Sequence, residues 1–154
     1  MKIQWRDELS VDNGGPIDAD HKYLVSLINA TLDLDKKPDR EKLFIEILER
    51  LKIYAKVHFR REESLQKASG YPESESHKKE HAYLERKLDV IINVAKKEMA
   101  EKTSSKTSDL IFKQTQKFLN EWLIQHVIGH DLKMKEYTNL MSEKAKELKS
   151  IEDI

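Results

Sequence analysis

A chain of 154 residues with 28 Lys+Arg, 28 Asp+Glu and no cysteine is long enough to bury its own core. It has no net charge to attract nucleic acid or anionic lipid, and it cannot build disulfides, thiolate zinc sites or iron–sulfur clusters. The opening MKIQWRDELS lacks a signal-peptide core, and no apolar run approaches the ~20 residues of a membrane helix, so a cytoplasmic protein is expected, with neither membrane nor nucleic acid as partner.

Residues 1–16, with Trp5 and the loop DNGGP (12–16), read as an irregular arm able to pack across the rest. A first helical segment runs from Ile17 to Leu34, its apolar stripe being Ile17, Leu24, Val25, Ile28 and Leu32 with His21 on the same face. After KKPD (36–39) a second runs from Asp39, an N-cap candidate, to Ala68, with Gly70 as its stop. Its stripe is Phe44, Ile47, Leu51, Tyr54, His58, Glu62 and Leu65. A third begins after Pro72 and carries His77, His81, Leu84, Leu88, Ile91, Ile92 and Ala95. A fourth, beyond KTSSKT (102–107), carries Ile111, Thr115, Phe118, Leu119, Trp122, Leu123 and His126. The tail from Leu132 has a stripe of Tyr137, Leu140, Met141, Ala145 and Leu148, suited to packing on the same chain. Nothing alternates as a strand does. The pattern predicts an all-α protein, an antiparallel up-down-up-down four-helix bundle with an N-terminal arm and a short C-terminal helix. It reads as one domain: arm 1–16, metal-binding bundle 17–131, C-terminal helix 132–154.

Each of the four long segments puts a histidine on its apolar stripe. His58 and Glu62 are four apart, as are His77 and His81, so each pair shares one helical face. His126 and Asp131 are five apart. An ideal helix would turn Asp131 about 140° away from His126; a widened π-type turn, the helix end or the freedom of Gly129 would bring it back. Taken singly these residues have ordinary readings: His21 as a core histidine, HFRREE as an ion-paired face, Trp122 and Leu123 as core packing. Taken together, five imidazoles and two carboxylates fall on the inner faces of four helices. A buried carboxylate without compensation costs several kcal/mol, and seven donors exceed one tetrahedral site. They suit two adjacent metal ions bridged by carboxylates, with iron, zinc, copper or nickel all compatible with imidazole.

The succession of His21 in IDADH, HFRRE (58–62), HKKEH (77–81) and HVIGHD (126–131) resembles the hemerythrin family, most closely its single-domain bacterial members, from Trp5 through Asp131. The resemblance implies a four-helix bundle around an oxo- or hydroxo-bridged pair of iron ions that binds O2 reversibly. His77, His81 and His126 would hold one iron, His21 and His58 the other, and Glu62 and Asp131 would bridge them. Leu123 would line the O2 pocket with Trp122 beside it. An oxygen carrier, storage or delivery protein is therefore expected rather than an enzyme. The alternatives are an O2 or redox sensor, or a di-iron oxidase, peroxidase or nitric-oxide-handling enzyme, for which Tyr54 would be the available proton donor. Two features depart from the family pattern. His130 is not a family ligand position and is expected at the surface or behind the ligands, and Tyr137 comes late after Asp131. Oligomeric state is not fixed by the sequence, and a monomer is allowed.

Overall fold

In the computed structural model, residues 2–35, 37–101 and 105–152 are described, and the side chains at 105, 142, 145 and 148–152 fall outside that description. Of the expected break at 102–107, residues 102–104 lie outside the described residues, whereas 105–107 are already helical; the contributions of Ala145 and Leu148 to the tail stripe also lie outside the described residues. A short 3-10 turn, Asp7–Leu9, precedes α1 (Pro16–Leu32), α2 (Arg40–Ser69), α3 (Ser74–Ala100) and α4 (Ser105–Glu121). The chain continues without a break through a π-helical stretch, Trp122–Ile128, a single turn α5 (Gly129–Asp131), a 3-10 stretch Leu132–Tyr137 and α6 (Thr138–Glu152). No strand occurs among the described residues, and no helix there is long and apolar enough to cross a membrane.

The long helices form a ring in which α1 and α3 each pack on α2 and α4. The up-down order is visible in the contacts between α1 and the fourth segment. Thr31 accepts a hydrogen bond from Gln116, whereas His21 meets Asp131, so the two run in opposite directions. The shared core is built from Leu24 and Ile28 of α1, Phe44, Leu48, Leu51, Ala55 and Phe59 of α2, Leu84, Leu88 and Ile92 of α3, and Leu119 beyond them. The α2 stripe expected from Ile47 and Tyr54 is only half-buried there; Leu48, Ala55 and Phe59 take the inner positions instead. A helix packed on two neighbours buries a wider arc than a single stripe, so its outer edge is not sharply marked in sequence.

Two of the expected helix ends differ in kind. Gly70 ends α2 at φ +70°, a left-handed conformation that glycine adopts without strain, and Tyr71 N–H donates back to Gln66 O. Asp39 stands at the N-cap of α2, but its side chain accepts no capping bond. The tail folds back on α2: Val11, Ile17, Leu65, Tyr71, Met134 and Met141 form a second apolar cluster at that end, and Tyr137 meets the Tyr71 ring at 5.1 Å.

The arm is fixed by polar bonds as well as packing. Ile3 exchanges both backbone bonds with the Asn29 side chain at 2.8 Å, and Trp5 packs on the core cluster. The loop before α1 turns on two aspartates. Asp12 accepts from the N–H groups of Ile17 and Asp18 at 2.7 and 2.9 Å, which caps the helix from three residues before its Gly15 N-cap. A Cβ on Gly15 would come within 2.5 Å of that carboxylate, so a side chain here would have to displace the Asp12 cap. Asp18 accepts from Ser10 Oγ at 2.5 Å, Val11 N at 2.7 Å and Gly14 N at 2.8 Å. Burial works to raise the Asp18 carboxyl, but these donors outweigh it and hold it below its ordinary value. Its ionised form is therefore favoured by folding, and that stability is lost as pH falls below 3.8 and through the lowered folded value. Asp18→Ala should cost about 3 kcal/mol in urea unfolding at neutral pH, with the gap to wild type closing in acid. Equal midpoints at neutral pH would contradict this role.

Candidate metal centre

Three helices and the stretch after α4 deliver the inner polar residues. α1 supplies His21, α2 supplies His58 and Glu62 one turn apart, and α3 supplies His77 and His81 from its first two turns. The first of the expected devices, a π-helical stretch, is present at Trp122–Ile128, just before Asp131, and Asp131 points into the bundle although His126 does not share its group. Asp131 is only 1% exposed, and Glu62 is fully buried.

The geometry is that of two linked groups. One ligand atom from each of His21, His58, Glu62 and Asp131 lies within 4.8 Å of the others, and the same holds for Glu62, His77, His81 and Asp131. Both carboxylates belong to both groups, and each divides its two oxygens between them. Asp131 turns Oδ2 toward His21 Nε2 (2.7 Å) and His58 Nε2 (3.5 Å), and Oδ1 toward His77 Nε2 (2.9 Å). Glu62 turns Oε1 toward His58 Nε2 (2.5 Å), and Oε2 toward His77 Nε2 (3.7 Å) and His81 Nε2 (3.8 Å).

Protons alone satisfy this set poorly. Both Glu62 oxygens, His58 Nε2 and both nitrogens of His81 are buried without a hydrogen-bond partner; the short His58–Glu62 approach lies off the direction of a hydrogen bond. Leaving such groups unpaired costs on the order of 1–3 kcal/mol each. Burial, and then the neighbouring Asp131 charge, push the Glu62 carboxyl up. Burial would also raise Asp131, but hydrogen bonds from His21 and His77, with His58 close by at 3.5 Å, hold it well below the usual carboxylate range. Burial lowers His77, yet the Asp131 and Glu62 carboxylates outweigh it and raise the imidazole to about 9. His81, lowered by burial and by the neighbouring His77 to about 3, stays neutral with its lone pair free. Two buried carboxylates, four imidazoles and polar atoms left without partners, all at ligand spacing, are a donor set that fits cations once the protons they share are displaced.

Six of the seven metal-ligating residues expected from the sequence therefore come together. His126 does not. It is half-buried on the π stretch, outside both groups, with its ring nearly parallel to that of His130 at 6.4 Å. A half-buried imidazole keeps its nitrogens within reach of water, where burial among unpaired neighbours would cost more. His130 lies near the surface, as expected, with Nε2 3.6 Å from Glu80 Oε2. Leu123 and Trp122 are fully buried in the core, and the Trp122 indole N–H donates to Leu84 O. Phe59 completes this apolar wall: its ring stacks on His81 at 4.2 Å and meets Trp122 edge-on at 6.3 Å.

Sequence reading missed Asp20. It is buried one residue before His21 and reaches α2, where Oδ2 lies 2.9 Å from His58 Nδ1 and Oδ1 accepts from Tyr54 OH at 2.8 Å and from Arg61. This contact leaves His58 Nε2 as the nitrogen facing the two carboxylates. Burial would raise Asp20, but His58, Tyr54 and Arg61 hold it below its ordinary value. The available signal was its place in IDADH: one residue from an inward histidine is about 100° around the helix, toward the neighbouring helix. Tyr54, the proton donor considered from sequence, is committed to Asp20. Glu63 plays a lesser part, 3.5 Å from His81 Nδ1.

The chain matches the family model described as "Hemerythrin HHE cation binding domain" over residues 16–137. It is 28% identical over 129 residues to a protein named bacteriohemerythrin from Pseudomonas paraeruginosa (strain DSM 24068 / PA7), covering 84% of this chain and 76% of that one. No solved structure matches it significantly. An all-helical bundle with a buried histidine–carboxylate cluster, matched by that model over most of its length, belongs to the hemerythrin family.

Proposed function

We propose that this chain binds O2 reversibly at a pair of iron ions, as a carrier, store or delivery protein, with residues 17–131 forming the metal-binding bundle. His21, His58, Glu62, His77, His81 and Asp131 are the proposed ligands, and His126 the seventh, its imidazole turning inward from the segment that also carries Asp131. The observation that carries this reading is the division of each buried carboxylate, one oxygen toward the His21 and His58 side and the other toward His77 or His81. A carboxylate so placed can bridge two cations while the imidazoles complete each shell. The donor types also admit other transition metals; it is membership of the family that favours iron.

What an iron pair supplies is reversible electron donation to O2. The chain's own residues decide whether that donation stays reversible. Phe59, Trp122 and Leu123 wall the histidines with apolar surface, which keeps out water and the protons it brings. Trp122 directs its single N–H to a backbone carbonyl rather than to the site. Tyr54 donates its O–H in a hydrogen bond to Asp20. Asp20 holds the His58 ring so that Nε2 faces Glu62 and Asp131. Apolar walls and a committed tyrosine favour a carrier over an oxidase or peroxidase, which needs a proton delivered to the reacting oxygen.

Anaerobic loading with ferrous iron, metal analysis and cycles of O2 and vacuum test this reading. The expected result is two irons per chain and a visible charge-transfer band that appears and disappears without loss. Irreversible bleaching with substrate turnover would favour an enzyme, and a reversible band whose state controls binding of a protein partner would favour a sensor. Leu123→Asn should raise the autoxidation rate roughly tenfold by wetting the pocket, and an unchanged rate would remove Leu123 from the pocket. Asp20→Asn should weaken metal affinity by about 10–100-fold in chelator competition with helicity unchanged; undiminished affinity would show that His58 does not depend on it.

A further inference from the structure

The proposed centre is closed: of its six assembled ligands only His77 retains any notable exposure, 5%, the others being at most 1–2% exposed. An ion must nevertheless reach it, and the outward side of His77 carries metal-binding groups that the centre does not use. Glu80 lies one turn beyond His77 on α3 and is 47% exposed. His130, adjacent to Asp131 and 26% exposed, has Nε2 3.6 Å from the Glu80 carboxylate. The His130 ring is 6.3 Å from that of His77 and 6.4 Å from that of His126. Carboxylate and imidazole donors thus run from solvent to the buried Asp131, which His77 Nε2 approaches at 2.9 Å. A hydrated divalent ion surrenders its waters in steps, and donors spaced along its path can replace them one or two at a time.

We infer that Glu80 and His130 form an entry station for a divalent transition-metal cation, from which the ion passes to His77 and Asp131. The inference rests on the metal-centre reading above. Glu80 draws the cation by its charge and His130 holds it at the border of the core. Neither belongs to either inner group, so removing them should slow filling without changing what is filled.

The test is anaerobic uptake of cobalt(II) alone by metal-free protein, followed by its visible absorption, in wild type, Glu80→Gln, His130→Ala and the double variant, with circular dichroism checking the fold. Wild type should fill to two ions per chain at a rate that falls with added salt, since an exposed carboxylate steers the cation. The double variant should reach the same stoichiometry, with the same affinity in chelator competition, about tenfold more slowly. Glu80→Gln should lose most of the salt dependence, a change that a merely structural role for Glu80 would not produce. An unchanged filling rate in the double variant would overturn the entry station while leaving the metal centre standing. Reduced stoichiometry in His130→Ala would overturn it by making His130 a resident ligand. No cobalt uptake by wild type would overturn the metal centre and the entry station together.

Discussion

The structure turns on two carboxylates enclosed in the centre of a helical bundle. Glu62 and Asp131 have no access to water, and isolated charges in such a place are among the costliest features a fold can carry. Imidazoles from three helices surround them, and Asp131 draws on two of these for hydrogen bonds, yet both Glu62 oxygens remain without donors. The ring of four helices makes this enclosure possible. Three of these helices and the stretch after the fourth contribute a short polar patch to a face that is otherwise mainly Leu, Ile and Phe, so the surrounding core supplies the stability that the polar cluster does not.

The segment from residue 12 to residue 21 ties that cluster to the ends of the bundle. Asp12 caps α1, Asp18 gathers the loop that precedes it, Asp20 reaches across to His58, and His21 meets Asp131. Four polar side chains within ten residues set the start of the helix, its rotation, and the orientation of an imidazole on the next helix. A shift of one residue in that loop would move His21 and Asp20 off their partners together.

Much of this was legible in the sequence. Gly70 and the DNGGP loop mark where helices end and begin, and the i,i+4 spacing of His58 with Glu62 and of His77 with His81 states that each pair faces one way. The π stretch before Asp131 was one of three possibilities, spacing alone could not choose among them, and it leaves His126 off the face that Asp131 takes. What stayed hidden depended on side chains meeting across helices. Asp20 reads as a solvated acid beside a histidine until α2 is placed against it. Leu48, Ala55 and Phe59 lie on the edge of a periodic stripe, and only the presence of a second neighbouring helix decides which edge is buried. His126 shows the opposite limit: its sequence position matches a ligand, while its half-buried ring lies beside His130.

Anomalous scattering from crystals of the chain loaded with iron measures the central claim most directly. The account predicts two peaks inside the bundle, each within about 2.0–2.2 Å of an oxygen of Glu62 and of Asp131 and at a similar distance from imidazole nitrogens. His21 and His58 would flank one peak, His77 and His81 the other. A single peak, or metal bound away from both carboxylates, would contradict it.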